Sequence, residues 1–326
     1  MKKRPFKLSN YHLGLIAGCV AFMSFGSFDC ANNIDRNAKA LNEDLREKMA
    51  ENNPLQSESE QKAVSKPASE RKSQADNAPK QTVDAFAGVQ KGLELPAKTD
   101  KAEKRTERIG YTFVYDAEKR VPKWVAWVTT KQRVKGKNER TNDFLPDPDL
   151  SVTEAVTKQV YSGSGYDRGH MCPAADNKWN ATAMMESFYM TNICPQTPEL
   201  NRGDWNDLEN SVRDWAKKYG PIYQCCGPIF DKTPVKTIRN KRSASKMRVA
   251  VPDRFFKVLL CMGDNPCAIG FVFINDGRNM SNFDSYAMSV DEVEKITGFN
   301  FFASLPKKVE TKVEAMTYSQ WKNIIK

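Results

Sequence analysis

Apolar residues along this chain first form one block, then thin out, then return in strand and helix patterns. Residues 13–28 (LGLIAGCVAFMSFGSF) are uncharged and mostly apolar. Residues 31–104 are dominated by Ser, Gln, Lys, Glu, Ala and Asn; 31–52 suits one isolated helix, whereas 57–81 cannot bury enough apolar surface to offset chain entropy. From Tyr111 the pattern changes. Residues 111–115 (YTFVY) and 124–129 (WVAWVT) are β-rich runs separated by a polar stretch containing Pro122, which predicts a hairpin. Trp205, Leu208, Val212, Trp215, Ala216 and Tyr219 follow helical spacing over 202–219, and Gly220-Pro221 stops that helix. Strands are predicted over 222–226, 247–251, 255–262 and 268–274, the last two joined by a turn at Gly263-Asp-Asn-Pro266. Ser289 and Glu292 form a capping box that opens a short helix ending at Gly298. The fold class is therefore α+β, a core of several strands with few helices.

Domain organisation follows the same pattern. Lys2, Lys3, Arg4 and Lys7 precede the apolar block, the arrangement of an export signal. The block is at the lower limit of a membrane span, so a cleaved signal peptide and a short uncleaved anchor both fit residues 1–30. Either predicts an exported protein, periplasmic, secreted or membrane-anchored. Residues 31–104 read as a disordered polar linker, 105–306 as the folded domain, and 307–326 as a C-terminal extension with a short helix.

Charge and rare residues narrow the chemistry. The 326 residues carry 50 Lys+Arg against 40 Asp+Glu, a net charge of +10. Two loops are densely basic: 131–140, with Lys131, Arg133 and Arg140, and 232–248, with Arg239, Lys241 and Arg242. Such loops suit sequence-independent contact with phosphates, although a solvated loop is the plainer meaning of a charge run. The chain has only two histidines, His12 and His170, and His12 lies beside the apolar block. Mechanisms needing paired histidines are excluded, HExxH metalloproteases and C2H2 zinc fingers among them. Of the eight cysteines, Cys172, Cys194, Cys225, Cys226, Cys261 and Cys267 fall in the domain and form no CxxC pair. A disulfide between Cys261 and Cys267 across their turn and a set of buried thiols are both open.

Candidate chemistry concentrates between Tyr166 and Glu209. His170 is the default proton acceptor, and Arg168 offers a fixed fork for phosphate oxygens. Asn201 stands before the predicted helix, where it is either an N-cap or a carbonyl ligand for a hard cation such as Mg²⁺. Glu209, eight residues on and about 12 Å along a helix, suits a water-mediated role better than a shared coordination shell.

The Asp167-Arg-Gly-His170 tetrapeptide, Thr191-Asn192 with Pro195-Gln196, and the block Asn201, Trp205, Leu208 and Glu209 occur in that order. Together they resemble the DNA/RNA non-specific endonuclease family, which includes secreted bacterial nucleases and mitochondrial endonuclease G. The resemblance spans 111 to about 306. It implies a ββα-metal (His-Me finger) fold and Mg²⁺-dependent cleavage of DNA and RNA, with Mn²⁺ or Ca²⁺ as substitutes and 5′-phosphate and 3′-hydroxyl products. His170 would then be the general base and Asn201 the direct metal ligand. Asn192 would orient the site, Glu209 would hold the metal's water shell, and Arg168 and, more loosely, Arg140 would counter transition-state charge. A homodimer and membrane attachment through the N-terminal segment are left open. The rival functions are a non-catalytic nucleic-acid-binding protein and a phosphodiesterase acting on small or lipid substrates.

Overall fold

The computed structural model describes residues 89–242, 246–278 and 282–325; the expected signal or anchor and the expected linker up to residue 88 lie outside them. Along the chain run β1 (Thr106–Glu107), β2 (Thr112–Asp116), β3 (Val121–Thr129), the one-turn helix α1 (Lys131–Val134) and β4 (Asp167–His170). Next come α2 (Ala181–Glu186), β5 (Ile193–Gln196), α3 (Pro198–Arg202), α4 (Asp204–Tyr219) and β6 (Ile222–Ile229). The rest comprises β7 (Thr237–Ile238), β8 (Val249–Ala250), β9 (Arg254–Cys261), β10 (Cys267–Ile274), β11 (Ala287–Met288), α5 (Val290–Thr297), α6 (Lys307–Glu314) and α7 (Tyr318–Ile324).

One seven-stranded sheet, ordered β1-β2-β3-β6-β9-β10-β11, organises the domain, and every pairing in it is antiparallel. Side chains alternate between its two faces, and both are covered. Val125, Trp127, Cys226, Phe255, Leu259, Ile269, Phe271 and Phe273 belong to one core with Trp205, Leu208, Val212 and Ala216 of α4 and Trp321 of α7. Trp124, Ala126, Val128, Tyr223, Cys225, Phe256, Val258 and Leu260 belong to the other, with Val290 and Val293 of α5 and Val313 of α6. Two buried faces explain why β9 and β10 read as nearly continuous apolar runs rather than as alternation.

The predicted hairpin forms as β2–β3, and the Gly263–Pro266 turn joins β9 to β10. The capping box at Ser289 is complete, and Gly298 closes α5 at φ 73°, a left-handed conformation that glycine adopts without steric cost.

Two expectations are corrected, and of the two cysteine readings the structure carries the buried thiols. The folded unit starts before residue 105: Leu93 is buried, Gln90 N–H donates to the Tyr223 hydroxyl and Ala97 N–H to the Asn300 carbonyl. Nor is 307–326 an appendage with one short helix, since it forms two helices that bury Val313 and Trp321 in the two cores. Cys172, Cys194, Cys225, Cys226, Cys261 and Cys267 are all buried free thiols, although Cys261 and Cys267 stand directly opposite in the β9–β10 register.

Candidate active site

The DRGH tetrapeptide is β4 itself, paired with β5 so that Gly169 opposes Cys194 and His170 opposes Ile193. Glycine is required at 169 by space. A Cβ there would lie 2.0 Å from Gln196 Oε1 and 2.6 Å from its Cγ, and Gln196 is fully buried. The following turn is fixed by Asn192. Its Oδ1 accepts from Cys172 N–H at 2.9 Å, and its Nδ2 donates to the carbonyls of Cys172 at 2.9 Å and Ser187 at 2.8 Å. Asn192 is wholly buried, so it shapes the His170–Cys172 backbone without reaching solvent.

His170 is 8 % exposed and packs against two rings, Phe188 at 4.9 Å edge-on and Phe144 at 5.3 Å between centroids. Arg168 lies 4.5 Å above Phe144 and Arg140 lies 5.3 Å from Phe188, each by a cation–π contact. Nε2 of His170 is buried and has no hydrogen-bond partner among the described residues. Burial, then the charges of Arg140 and Arg168, push its pKa down to about 3, so the imidazole is neutral across the physiological range.

Asn201 arrives from a second element, and not as the sequence pattern suggests. The helix predicted over 202–219 is broken at Gly203 (φ −103°, ψ −118°), which caps α4, while Asn201 sits inside the five-residue α3. Its carboxamide is therefore not committed to capping the long helix. Nδ2 donates to Asp167 Oδ2 at 3.0 Å, which leaves Oδ1 as the atom available to a cation. Arg202 clamps the same carboxylate with two bonds of 2.8 Å. Burial acts to raise the Asp167 pKa, but the bonds from Arg202 and Asn201 outweigh it and hold the carboxyl below its ordinary value.

These groups meet in one cleft of about 360 Å³, lined by Arg140, Arg168, His170, Asn201, Glu209 and Arg213, with Arg202 and Asn206 at its wall. Glu209 faces Arg213 Nη1 at 3.9 Å through Oε2 and Lys257 Nζ at 3.8 Å through Oε1. Burial raises its pKa, and these two cations oppose the rise. Arg213 in turn donates to Asp176 at 3.1 Å, and Asp176 also accepts from Trp127 Nε1 at 2.9 Å and from the Thr129 hydroxyl. The cleft floor is thereby tied to β3.

The donor set suits a small hard cation that keeps most of its water: an amide oxygen at Asn201, a carboxylate at Glu209, and neither thiolate nor a second imidazole. Guanidinium groups around these oxygens suit a phosphodiester.

The structure thus brings His170, Arg168, Arg140, Asn201 and Glu209 together, with Asn192 behind them. It removes Arg133 from the expected nucleic-acid surface. Arg133 is 2 % exposed, donates to the carbonyls of Val128 at 2.8 Å and Gly110 at 3.2 Å, and lies over the Trp179 ring. A one-turn helix capped by Thr130 turns it inward. Lys131, Arg239, Lys241 and Arg242 are exposed and are not among the residues lining the cleft. Arg202, Arg213, Asn206 and Lys257 were not singled out from sequence. Lys257 alone carried a readable signal, a lysine inside the apolar run RFFKVLLC.

Comparison with known proteins places the chain among nucleases. The family model for DNA/RNA non-specific endonuclease matches residues 90–308. The mitochondrial nuclease EXOG of Xenopus laevis is 34 % identical over 208 residues, covering 61 % of this chain and 58 % of the relative. Human mitochondrial endonuclease G is 36 % identical over 157 residues (47 % of this chain, 53 % of the relative), and a nuclease of a Nostoc strain is 31 % identical over 216 residues (63 % and 75 %). The chain spans less than three fifths of the length of the Xenopus relative. The solved complex of EndoG with EndoGI superposes with a TM-score of 0.58 at 28 % identity, covering 63 % of this chain and 88 % of that one, in keeping with the ββα-metal fold. The expectation of an exported protein is overturned by the same relatives: those from Xenopus, human and fission yeast are mitochondrial nucleases. With the matched region running through the whole cleft, the chain belongs to the DNA/RNA non-specific endonuclease family.

Proposed function

We propose that this protein is a divalent-metal-dependent endonuclease that hydrolyses phosphodiester bonds of DNA and RNA without sequence or sugar specificity. One observation carries the reading: a buried, neutral imidazole and a carboxamide oxygen share a single cleft with four arginines. Asn201 Oδ1 would hold the ion, with Glu209 on its water shell, and Mg²⁺ when bound would supply charge neutralisation at the scissile phosphate.

The chain's own groups do the rest. His170 takes the proton of the attacking water. Its low pKa makes it available but a weak base, and two of the three causes of that low pKa are Arg140 and Arg168. A substrate phosphate placed between these arginines neutralises them and raises the basicity of His170 at the moment it is needed. Arg140 and Arg168 then counter the charge that develops on the pentacoordinate phosphorus. Phe144 and Phe188 pack against the imidazole and hold its ring in place. Attack on phosphorus with departure of the 3′ oxygen leaves 5′-phosphate and 3′-hydroxyl ends. The exposed Lys131, Arg239, Lys241 and Arg242 are proposed to hold the polymer backbone through salt-sensitive contacts.

The test is end-group analysis of plasmid DNA and of a long RNA incubated with the protein and Mg²⁺. Both polymers cut internally, each fragment bearing a 5′-phosphate, supports the reading. Intact polymers bound without cleavage across Mg²⁺, Mn²⁺ and Ca²⁺ would refute it.

A further inference from the structure

Lys257 is a lysine with no exposed surface, in a strand position that the fold reserves for apolar side chains. On β9 it shares its face with Phe255, Leu259 and Cys261, all members of the core beneath the cleft. Its ammonium lies 4.0 Å from the ring centre of Trp205 and 5.5 Å from that of Trp127. Across the sheet it pairs with Cys226, a thiol whose pKa burial pushes up to about 12 and which therefore carries no charge. Among the described residues no hydrogen bond reaches Nζ, and its ion-pair partner is Glu209 Oε1 at 3.8 Å.

Burying an ammonium is costly unless a counter-charge is supplied. A core needing only volume at this point would be served by Leu or Met at lower cost. Two rings and one carboxylate around the cation mean that the lysine acts in one direction, upward onto Glu209. We infer that Lys257 is a positioning residue of the nuclease: from beneath the cleft it holds the Glu209 carboxylate in place, and through it sets how tightly the site takes a divalent cation. Arg213 does the same for the other carboxylate oxygen from the rim, at 3.9 Å. Arg213 has two further acceptors, Asp176 and Asn210, whereas the ion pairing of Lys257 is with Glu209 alone among the described residues. The buried cation is thus the more specific of the two supports.

The inference rests on the nuclease reading of the cleft, and the experiment separates them. Wild type, Lys257→Met, Glu209→Gln and the double variant are compared by Mn²⁺ titration calorimetry without substrate, by kcat and KM on DNA, and by thermal melting. Lys257→Met should weaken Mn²⁺ binding by about 10–100-fold. It should lower kcat at fixed metal with KM for DNA unchanged. In the Glu209→Gln background the same replacement should change Mn²⁺ binding less than about twofold, and the double variant should melt higher than Lys257→Met because no buried charge is left unpaired. If Lys257→Met does not fold, Lys257→Gln and the double variant against Glu209→Gln make the same comparison. Multiplying losses in the two single variants, or unchanged Mn²⁺ binding in folded Lys257→Met, would overturn the inference while leaving the nuclease standing. A wild type that binds Mn²⁺ but cuts neither polymer would remove the reading beneath it.

Discussion

Glu209 and Glu314 are both carboxylates on helices that cover the central sheet, one on each face, and they keep opposite company. Glu209 on α4 has Lys257 on one oxygen and Arg213 on the other. Glu314 on α6 is 4 % exposed, and its carboxylate lies within 4.8 Å of those of Asp291 and Glu294. Burial and then the charges of Glu294, Glu310 and Asp291 push its pKa up to about 8, while Lys307 nearby is paired with Glu310 at 3.0 Å. Burial raises the pKa of both, but at Glu209 the flanking cations oppose the rise. At Glu314 the flanking carboxylates add to it, and keeping the proton lowers the cost of burial. The sign of the neighbouring charge tells the two apart.

Substitutions that touch one face only should break this comparison if it is wrong. The largest effect belongs to the cleft. His170→Ala should reduce cleavage by about 10²–10⁴-fold, the range a general base contributes, whereas Glu314→Gln should leave kcat within about twofold in the same plasmid assay.

Glycine packing gives the next contrast. Gly169 abuts Gln196, and Gly270 on β10 abuts Val293 of α5, where a Cβ would lie 2.4 Å from Cγ2. Gly169→Ala and Gly270→Ala should each cost about 1–3 kcal/mol in urea unfolding. Only the first should also lower kcat, because it displaces the strand that carries His170.

Opposite pH dependences of stability follow. The His170 pKa is about 3 when folded against about 6.5 unfolded, so between these values the unfolded chain binds more protons. Stability then falls as pH drops below 6.5, by about 2 kcal/mol at pH 5 from this residue, and His170→Ala should flatten that limb. Glu314 is the reverse. Its folded pKa near 8 against about 4.5 unfolded means that the native state keeps the proton, so stability falls as pH rises from 4.5 to 8. The smallest effect is therefore Glu314→Gln at pH 8, a rise of about 2–4 °C in Tm, equivalent to roughly 1 kcal/mol after screening by solvent.

Much of the fold was legible because its signals are local. The β2–β3 hairpin, the β9–β10 turn and the Ser289 box are written in contiguous residues, and the DRGH strand was found as a motif. Asn201 was misplaced for a physical reason: the apolar spacing of α4 runs smoothly back to Trp205, and nothing in that spacing marks the break at Gly203. Arg133 was misread because its charge is visible in sequence while the inward turn of α1 is not. Packing of 89–104 and of α7 was hidden by polar composition, since single residues such as Leu93 and Trp321 make the contact. Lys257 was readable in principle, as a charge where both faces of a strand are buried, but only the tertiary pairing shows that it points to Glu209.

The most direct test of the central claim is cleavage of supercoiled plasmid and of RNA by the full chain with Mg²⁺, with EDTA, and with His170→Ala and Asn201→Ala beside wild type. The account predicts metal-dependent cutting of both polymers, abolished by EDTA and reduced by at least about 10²-fold in each folded variant. Cleavage that persists in EDTA, or in folded His170→Ala at the wild-type rate, would contradict it.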